Sequence, residues 1–341
     1  MFSYLGQVQV SQSVGCFLSI KTVVVSGITS SVGIHLASQL VEKGYRVRGF
    51  ARKLDRAPRH SSIELVQADL LDSEKMEEIC SGCIGVIHLA ALSSPWGNFR
   101  DFYQINVEGT RSLLRAAEGA QVKRFVHVST PSLYFDYSDR FDISEASALP
   151  RKSVNAYSAT KRLAEQVVDG SLIETITVRP RAIFGPHDQA LLPRLLKVCE
   201  ERGIPCFRNQ SPWVDVTYVD NVAHALCLAL EAPSSCAGEK YNITNGEPIE
   251  LWTLLDRLLK KLSIPSRFWK VPYPIAMSAA WMSEQMSKLT GKEPLLTRYA
   301  VGVMSHSQTL SIEKAKKELK YSPIITLEEG IQRYVRWHQT A

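Results

Sequence analysis

A tyrosine and a lysine stand four residues apart in Tyr157-Ser-Ala-Thr-Lys161, inside a stretch whose pattern predicts a helix from Ala156 to Val168. At this spacing both side chains share one helical face, about one turn apart. A neighbouring ammonium favours the tyrosinate, which would make Tyr157 an acid/base usable near neutral pH. Such a pair also decorates ordinary surface helices, so position has to add to spacing. Val128-Ser-Thr130 ends a predicted strand upstream, and in a parallel sheet its hydroxyls would emerge at the carboxyl edge, where ligand crevices lie. Thr130 is the candidate for holding a substrate carbonyl, with Ser129 and Ser132 as rival hydroxyls. Asn106, in Asn106-Val-Glu-Gly-Thr110, falls in a helical stretch where asparagine is a weak helix former. That points either to a polar interior role or to a plain exposed side chain.

A second constellation could bind phosphate. Ser26-Gly-Ile-Thr-Ser-Ser-Val-Gly33 joins a predicted strand to a predicted helix, where backbone N–H groups and the helix dipole form an anion site for a pyrophosphate. Gly27, Ser30 and Gly33 hold the three spaced positions. Ser30 stands where a glycine usually lets the backbone approach the phosphate. At the end of the second strand an NAD-specific protein would carry an acidic residue for the ribose 2′-hydroxyl; here Gly49-Phe-Ala51 is followed by Arg52 and Lys53. A guanidinium grips a 2′-phosphate through paired charge-assisted hydrogen bonds, so the sequence favours NADP(H) over NAD(H). The alternative for Arg52 and Lys53 is a solvated loop. Asp69, in Ala68-Asp-Leu-Leu71, suits either the adenine amino group or a turn or helix cap.

These groups converge only if strands and helices alternate between them. Thr22 to Ser26 is a β-branched run suited to a buried parallel strand. The pattern then predicts a helix from Ser31 to Lys43 and strands from Tyr45 to Ala51 and Ile63 to Gln67. A helix from Ser73 to Cys80, a strand from Ile84 to Leu89, a helix from about Phe99 to Glu118 and a strand from Phe125 to Ser129 follow. After the Tyr157 helix comes a strand from Thr175 to Arg179. Alternation of this kind means right-handed crossovers and a parallel sheet covered on both faces, a doubly wound α/β fold. Beyond Pro186 the clearer helices are Leu191 to Glu201, Val219 to Glu231 and Leu251 to Leu262. The expected organisation is an N-terminal extension (1–20), a dinucleotide-binding domain (21–186) and a smaller substrate-binding lobe (187–341) interleaved with the last sheet strands.

Composition narrows the partners. In 341 residues, 45% hydrophobic and 22% charged are ordinary globular values, which argue against disorder or a fibrous repeat. Forty Lys+Arg against thirty-four Asp+Glu leave +6 with no basic run, so nucleic acid is not an expected partner. Seven cysteines without secretory features read as reduced thiols, and a cytoplasmic address follows. Met1 to Ile20 lacks Lys and Arg and therefore the cationic region of a signal peptide; its apolar stretch from Val14 is too short to span a bilayer.

Several motifs in order resemble the extended short-chain dehydrogenase/reductases: the loop Ser26 to Gly33, Asp69, His88-Leu-Ala-Ala91, Asn106 to Thr110, Ser129-Thr130, Tyr157 with Lys161, and Arg179-Pro-Arg-Ala-Ile-Phe-Gly-Pro186. The resemblance runs from about Lys21 to Trp337 and implies a Rossmann fold. It also implies roles: Tyr157 as acid/base, Lys161 on the nicotinamide ribose and tuning Tyr157, Thr130 polarising the carbonyl, Asn106 supporting the active-site helix and a proton relay. The cofactor contacts it implies are Gly27, Ser30, Ser31, Val32, Gly33, Arg52, Asp69, Leu70, Ala90, Tyr157, Lys161 and Pro180. Ser30 is the departure from the family's glycine pattern. The segments Val214 to Ala223, Tyr241 to Pro248 and Ala315 to Pro323 are similar to the 3β-hydroxysteroid dehydrogenase branch, to decarboxylating sterol-4-carboxylate 3-dehydrogenases and bacterial 2-alkyl-3-oxoalkanoate reductases. The activity implied is interconversion of a 3-oxo and a 3-hydroxy group on a small substrate with a bulky apolar substituent, with homodimerisation through the helices near Asn106 and Tyr157. Sugar-nucleotide epimerisation or dehydration with a held NAD, and a non-catalytic dinucleotide sensor, are the rival functions.

Trp213, Trp252, Trp269, Trp281 and the apolar run from Val271 to Met282 could line a channel for an alkyl or steroid body, or could be core. Ile275, Met282 and Met286 offer a face for peripheral membrane contact. Cys80-Ser-Gly-Cys83 has no second pair for a zinc site, no metal is expected, and His88 reads as structural. Arg181 and Arg298 are arginines that could meet a substrate carboxylate.

Overall fold

The computed structural model describes residues 21–189 and 192–340; the N-terminal extension and the first residue of the helix expected from Leu191 lie outside them. Seven strands form one parallel sheet: β1 (Thr22–Ser26), β2 (Arg46–Ala51), β3 (Ile63–Gln67), β4 (Gly85–His88), β5 (Arg124–Val128), β6 (Glu174–Pro180) and β7 (Lys240–Ile243), in spatial order β7-β6-β5-β4-β1-β2-β3. The strand order reverses between β1 and β4, and a crevice opens there at the carboxyl ends.

The run Val23-Val24-Val25 is apolar throughout because both faces of β1 are covered. Val23 and Val25 pack with Leu36 and Leu40 of α1 (Ser31–Glu42), while Val24 turns to the other face with Met76 of α2 (Ser73–Cys80). Each such fully buried aliphatic contributes roughly 1.5–3 kcal/mol. The helix expected from Phe99 to Glu118 is three pieces: α3 (Phe99–Tyr103), a π-helical turn (Gln104–Glu108) and α4 (Gly109–Gly119). Asn106 lies in the middle of the π turn and its side chain is spent on other elements, as described below. Gly109 allows α4 to approach Leu70, where an added Cβ would stand 3.1 Å from the Leu70 Cβ.

α5 (Ala156–Asp169) begins at a capping box made by Asn155 and Ser158. Its register on the sheet is set by Glu165, which receives two hydrogen bonds from the Arg179 guanidinium of β6, that from Nε at 2.8 Å. A second, four-stranded sheet joins Ile249–Glu250, Trp213–Val214, Gln308–Leu310 and Arg140–Ile143. α6 (Val219–Glu231) packs against α1.

The apolar run from Val271 is mostly the first half of α7 (Tyr273–Thr290), which buries Ala276 and Ala280 and leaves Ile275, Trp281 and Met282 exposed. Trp213 and Trp269 are also exposed. Small residues form the stripe of this helix that packs inward, and Ile275, Trp281 and Met282 face outward. Among the described residues, no helix is long and apolar enough to cross a membrane. A short helix, α8 (Arg298–Val303), follows and packs on α7.

Candidate active site

Gly27 has φ +68°, and a Cβ there would lie 3.1 Å from the Ala90 N; a Cβ on Gly33 would lie 2.5 Å from the Gly27 carbonyl oxygen. Glycine is required at both places, by conformation at the first and by close approach at the second. Ser30 has φ −73°, open to any residue, and caps α1: its Oγ accepts from the Gly33 N–H at 3.0 Å and donates to the Gly27 carbonyl at 2.8 Å. This explains how serine stands where glycine is usual. The N–H groups of Ser31 and Val32, in the first turn, have no intrahelical acceptor, while the Ser31 hydroxyl donates to the Pro186 carbonyl at 2.6 Å. The donors, the helix end and the glycine-tight approach fit a dinucleotide pyrophosphate.

The remaining expected cofactor residues lie along the same sheet edge. Arg52 and Lys53 are exposed beyond β2, and the Arg52 carbonyl accepts from Gln67 Nε2 at 3.0 Å. Asp69 Oδ1 accepts from the Leu71 N–H at 3.0 Å and so closes a turn. The Leu70 side chain is buried in the core, which leaves its main chain for a ligand. Ala90 lies against Gly27, and Pro180 ends β6 opposite Ile243. His88 is structural: its ring nitrogens meet Ser26 Oγ at 2.8 Å and Thr110 Oγ1 at 2.9 Å, and burial lowers its pKa to about 3.

Tyr157 faces a cavity of about 420 Å³. Trp96, Phe102, Tyr137 and Tyr299 give it aromatic walls, and Asp136, Lys152, Glu284 and Arg298 give it charged ones. Burial raises the Tyr157 pKa, and the hydroxyls of Ser93 and Thr130 act in the opposite direction. Thr130 Oγ1 donates to Ser132 Oγ at 3.0 Å, and Ser132 Oγ is 2.9 Å from the Tyr299 hydroxyl. Of the three hydroxyls the sequence offers, Thr130 acts on Tyr157, Ser132 carries the connection to Tyr299, and the Ser129 hydroxyl is buried without a hydrogen-bond partner.

Lys161 is buried, and its Nζ donates to the Val128 carbonyl at 2.6 Å and lies 3.3 Å from His127 Nε2. Burial draws its pKa down to about 8, with Glu165 opposing. The lysine thus points to the end of β5, and the largest influence on Tyr157 is burial. The sequence reading, in which the ammonium pulls the phenol toward neutral pH, differs in this respect, because the Val128 carbonyl takes the ammonium. Asn106 Oδ1 accepts from the Leu92 N–H at 2.7 Å, and its Nδ2 donates to the Leu92 carbonyl and Thr160 Oγ1, both at 3.1 Å. It ties the β4 loop to α5 one residue before Lys161. Ser93, His127, Glu284 and Tyr299 were not singled out from the sequence. His127 carried a signal, a polar residue inside the apolar strand β5; the others come from loops and distant helices with no local pattern.

The family model for NAD dependent epimerase/dehydratase proteins matches residues 23–244. The chain belongs to that family. The extended short-chain dehydrogenase/reductase resemblance is thereby borne out. This family member is 32% identical to the 2-alkyl-3-oxoalkanoate reductase of Stenotrophomonas maltophilia, over 91% of its own length and 97% of the relative's. It is 30% identical to the decarboxylating sterol-4-alpha-carboxylate 3-dehydrogenase of Mus musculus, over 93% and 90%. The solved structure of UDP-glucuronic acid 4-epimerase from Bacillus cereus in complex with NAD superposes with a TM-score of 0.74 over 94% of this chain and 96% of that one, at 21% identity, and shows the shared fold. With dehydrogenases and reductases as its relatives, the protein is an oxidoreductase acting on CH–OH/C=O groups.

Proposed function

We propose that the protein reduces the ketone of a 3-oxo carboxylic acid bearing an apolar substituent between its two functional groups, using NADP(H) in preference to NAD(H). The carrying observation is that Tyr157, with the Thr130 hydroxyl acting on it, borders the cavity at the same sheet edge as the glycine cradle. A bound nicotinamide coenzyme supplies the hydride. Every other contribution comes from the chain itself. Gly27, Gly33 and the N–H groups of Ser31 and Val32 would hold the pyrophosphate, and Arg52 with Lys53 would meet the 2′-phosphate.

At the reacting carbonyl, Thr130 and Ser93 orient the oxygen and Tyr157 delivers the proton from its hydroxyl. The raised pKa of Tyr157 keeps that proton in place until charge develops on the oxygen. Lys161, with its ammonium on the Val128 carbonyl, ties α5 to the end of β5 two residues before Thr130. Asn106, through Leu92 and Thr160, keeps α5 in register. Trp96, Phe102 and Tyr299 cover the apolar body of the substrate. The relatives named above support the choice of substrate class, and Arg52 supports the choice of coenzyme.

The test is spectrophotometric oxidation of NADPH and NADH against a panel of 2-alkyl-3-oxo acids, 3-oxosteroids and UDP-sugars. Net NADPH oxidation with the 3-oxo acids is expected. Turnover of UDP-sugars without net coenzyme consumption would contradict the reading.

A further inference from the structure

Arg181 plays no part in the chemistry above. It follows β6 directly, and its backbone is fixed: its N–H donates to the Ile243 carbonyl at 3.1 Å, and its carbonyl accepts from Thr217 Oγ1 at 2.6 Å. Its side chain is 6% exposed, and Nε has no hydrogen-bond partner. Asp215 and Tyr299 lie near enough to act on it electrostatically, yet Asp215 makes no ion pair with it. Two more buried polar atoms lack partners, Asp215 Oδ1 and Gln308 Oε1. Gln308 is in register with Val214, and its Nε2 approaches the Pro131 carbonyl at 3.4 Å, next to Thr130. The other Asp215 oxygen accepts from the Leu310 N–H at 2.7 Å. Tyr299 links Arg181 to the reaction centre, since it acts on Arg181, borders the Tyr157 cavity and bonds to Ser132.

Two other arginines set the contrast. Arg179, two residues earlier and equally buried, has its fork filled by Glu165. Arg298, at the cavity, is engaged by Glu284 through its N–H and its Nε, both at 2.8 Å. A guanidinium has donors only and does not deprotonate in proteins, so its buried N–H groups can be satisfied only by acceptor atoms brought to them. A planar pair of oxygens matches its geometry best.

We propose that Arg181 receives the carboxylate of the substrate and is the residue that selects 3-oxo acids over neutral ketones. The inference rests on the oxidoreductase reading above, in which ketone and carboxylate are one carbon apart. A ketone held at Tyr157 and Thr130 then carries its carboxylate past Tyr299 toward Arg181. Asp215, held by Leu310, supplies counter-charge without filling the fork.

Isothermal titration of the NADP+-saturated protein with a 2-alkyl-3-hydroxy acid and with its methyl ester tests this, and turnover of the matching 3-oxo acid and ester is measured separately. The wild-type chain is expected to bind the acid about 100-fold tighter than the ester, as loss of a buried charge-paired partner implies. Arg181→Met should abolish that preference while leaving NADP+ affinity unchanged, and Arg181→Lys should retain part of it. Equal wild-type affinity for acid and ester overturns the proposal even if no variant folds, and so does a preference that survives Arg181→Met. If the preference depends on Arg181 but neither compound turns over, the carboxylate assignment stands and the reductase reading falls. If acid and ester are reduced and bound alike, the reductase reading stands and Arg181 is structural.

Discussion

At one end of the crevice, beneath α1, the proposed ligand surface is backbone: Gly27, Gly33 and first-turn N–H groups shaped by eight consecutive residues from Ser26 to Gly33. At the other end, around Tyr157, it is side chain, assembled from Trp96, Asp136, Glu284 and Tyr299, which are far apart in sequence. The two ends respond to sequence change by different rules. A backbone cradle tolerates a substitution wherever φ and space permit, which is why Ser30 is accommodated. A side-chain wall depends on several packed elements arriving together, so its chemistry is set by residues that share no motif.

That contrast can be broken most sharply at Tyr157. Tyr157→Phe removes a proton donor and leaves the backbone cradle intact, so kcat should fall about 10²–10⁴-fold while NADPH affinity, read by fluorescence, is unchanged. Loss of NADPH binding in this variant would mean that the two ends are not separable. At the cradle, Arg52→Ala should weaken NADPH affinity by about 10–100-fold, as losing a charged hydrogen-bond partner implies, with little effect on NADH. Equal losses for both coenzymes would return Arg52 to an ordinary solvated loop.

Gly33→Ala sets a Cβ 2.5 Å from a backbone oxygen that cannot swing away. Overpacking of this kind is expected to lower stability by about 1–3 kcal/mol, visible as a lower melting temperature, together with weaker coenzyme binding. A variant as stable as the parent would show that the loop is softer than its contacts indicate.

The smallest expected effect is a pH dependence at Lys161. Its folded pKa is drawn down to about 8 from an ordinary 10.5, so between those values the unfolded chain holds the extra proton. By linkage, this group makes the coenzyme-free protein more stable as pH rises through that window. Lys161→Met should remove that increment, as read by chemical denaturation at pH 8 and pH 10. An unchanged slope would place the lysine in water rather than in the buried setting described.

The same contrast governs what could be read in advance. β1 to β6, the turn from Ser26 to Gly33 and the placing of Tyr157 and Lys161 one turn apart on α5 were legible because each depends on a short run: a β-branched strand, a strand-to-helix turn, an i,i+4 spacing. The π turn at Asn106 was not, since it arises from bonds to Leu92 and Thr160, which are distant in sequence. The second sheet was missed because two of its strands, Trp213–Val214 and Ile249–Glu250, are too short to carry an alternating pattern. The tryptophans of the C-terminal half left channel and core both open, and Trp96 is the one that borders the Tyr157 cavity, because exposure is decided by packing that residue type alone does not report.

The most direct measurement follows hydrogen itself. With NADPH deuterated at the transferable position, mass spectrometry of the product from a 2-alkyl-3-oxo acid should find one deuterium on C3, with the proton on oxygen exchangeable with water. Product without deuterium at C3, or substrate converted while NADPH is not consumed, would contradict hydride transfer at this site.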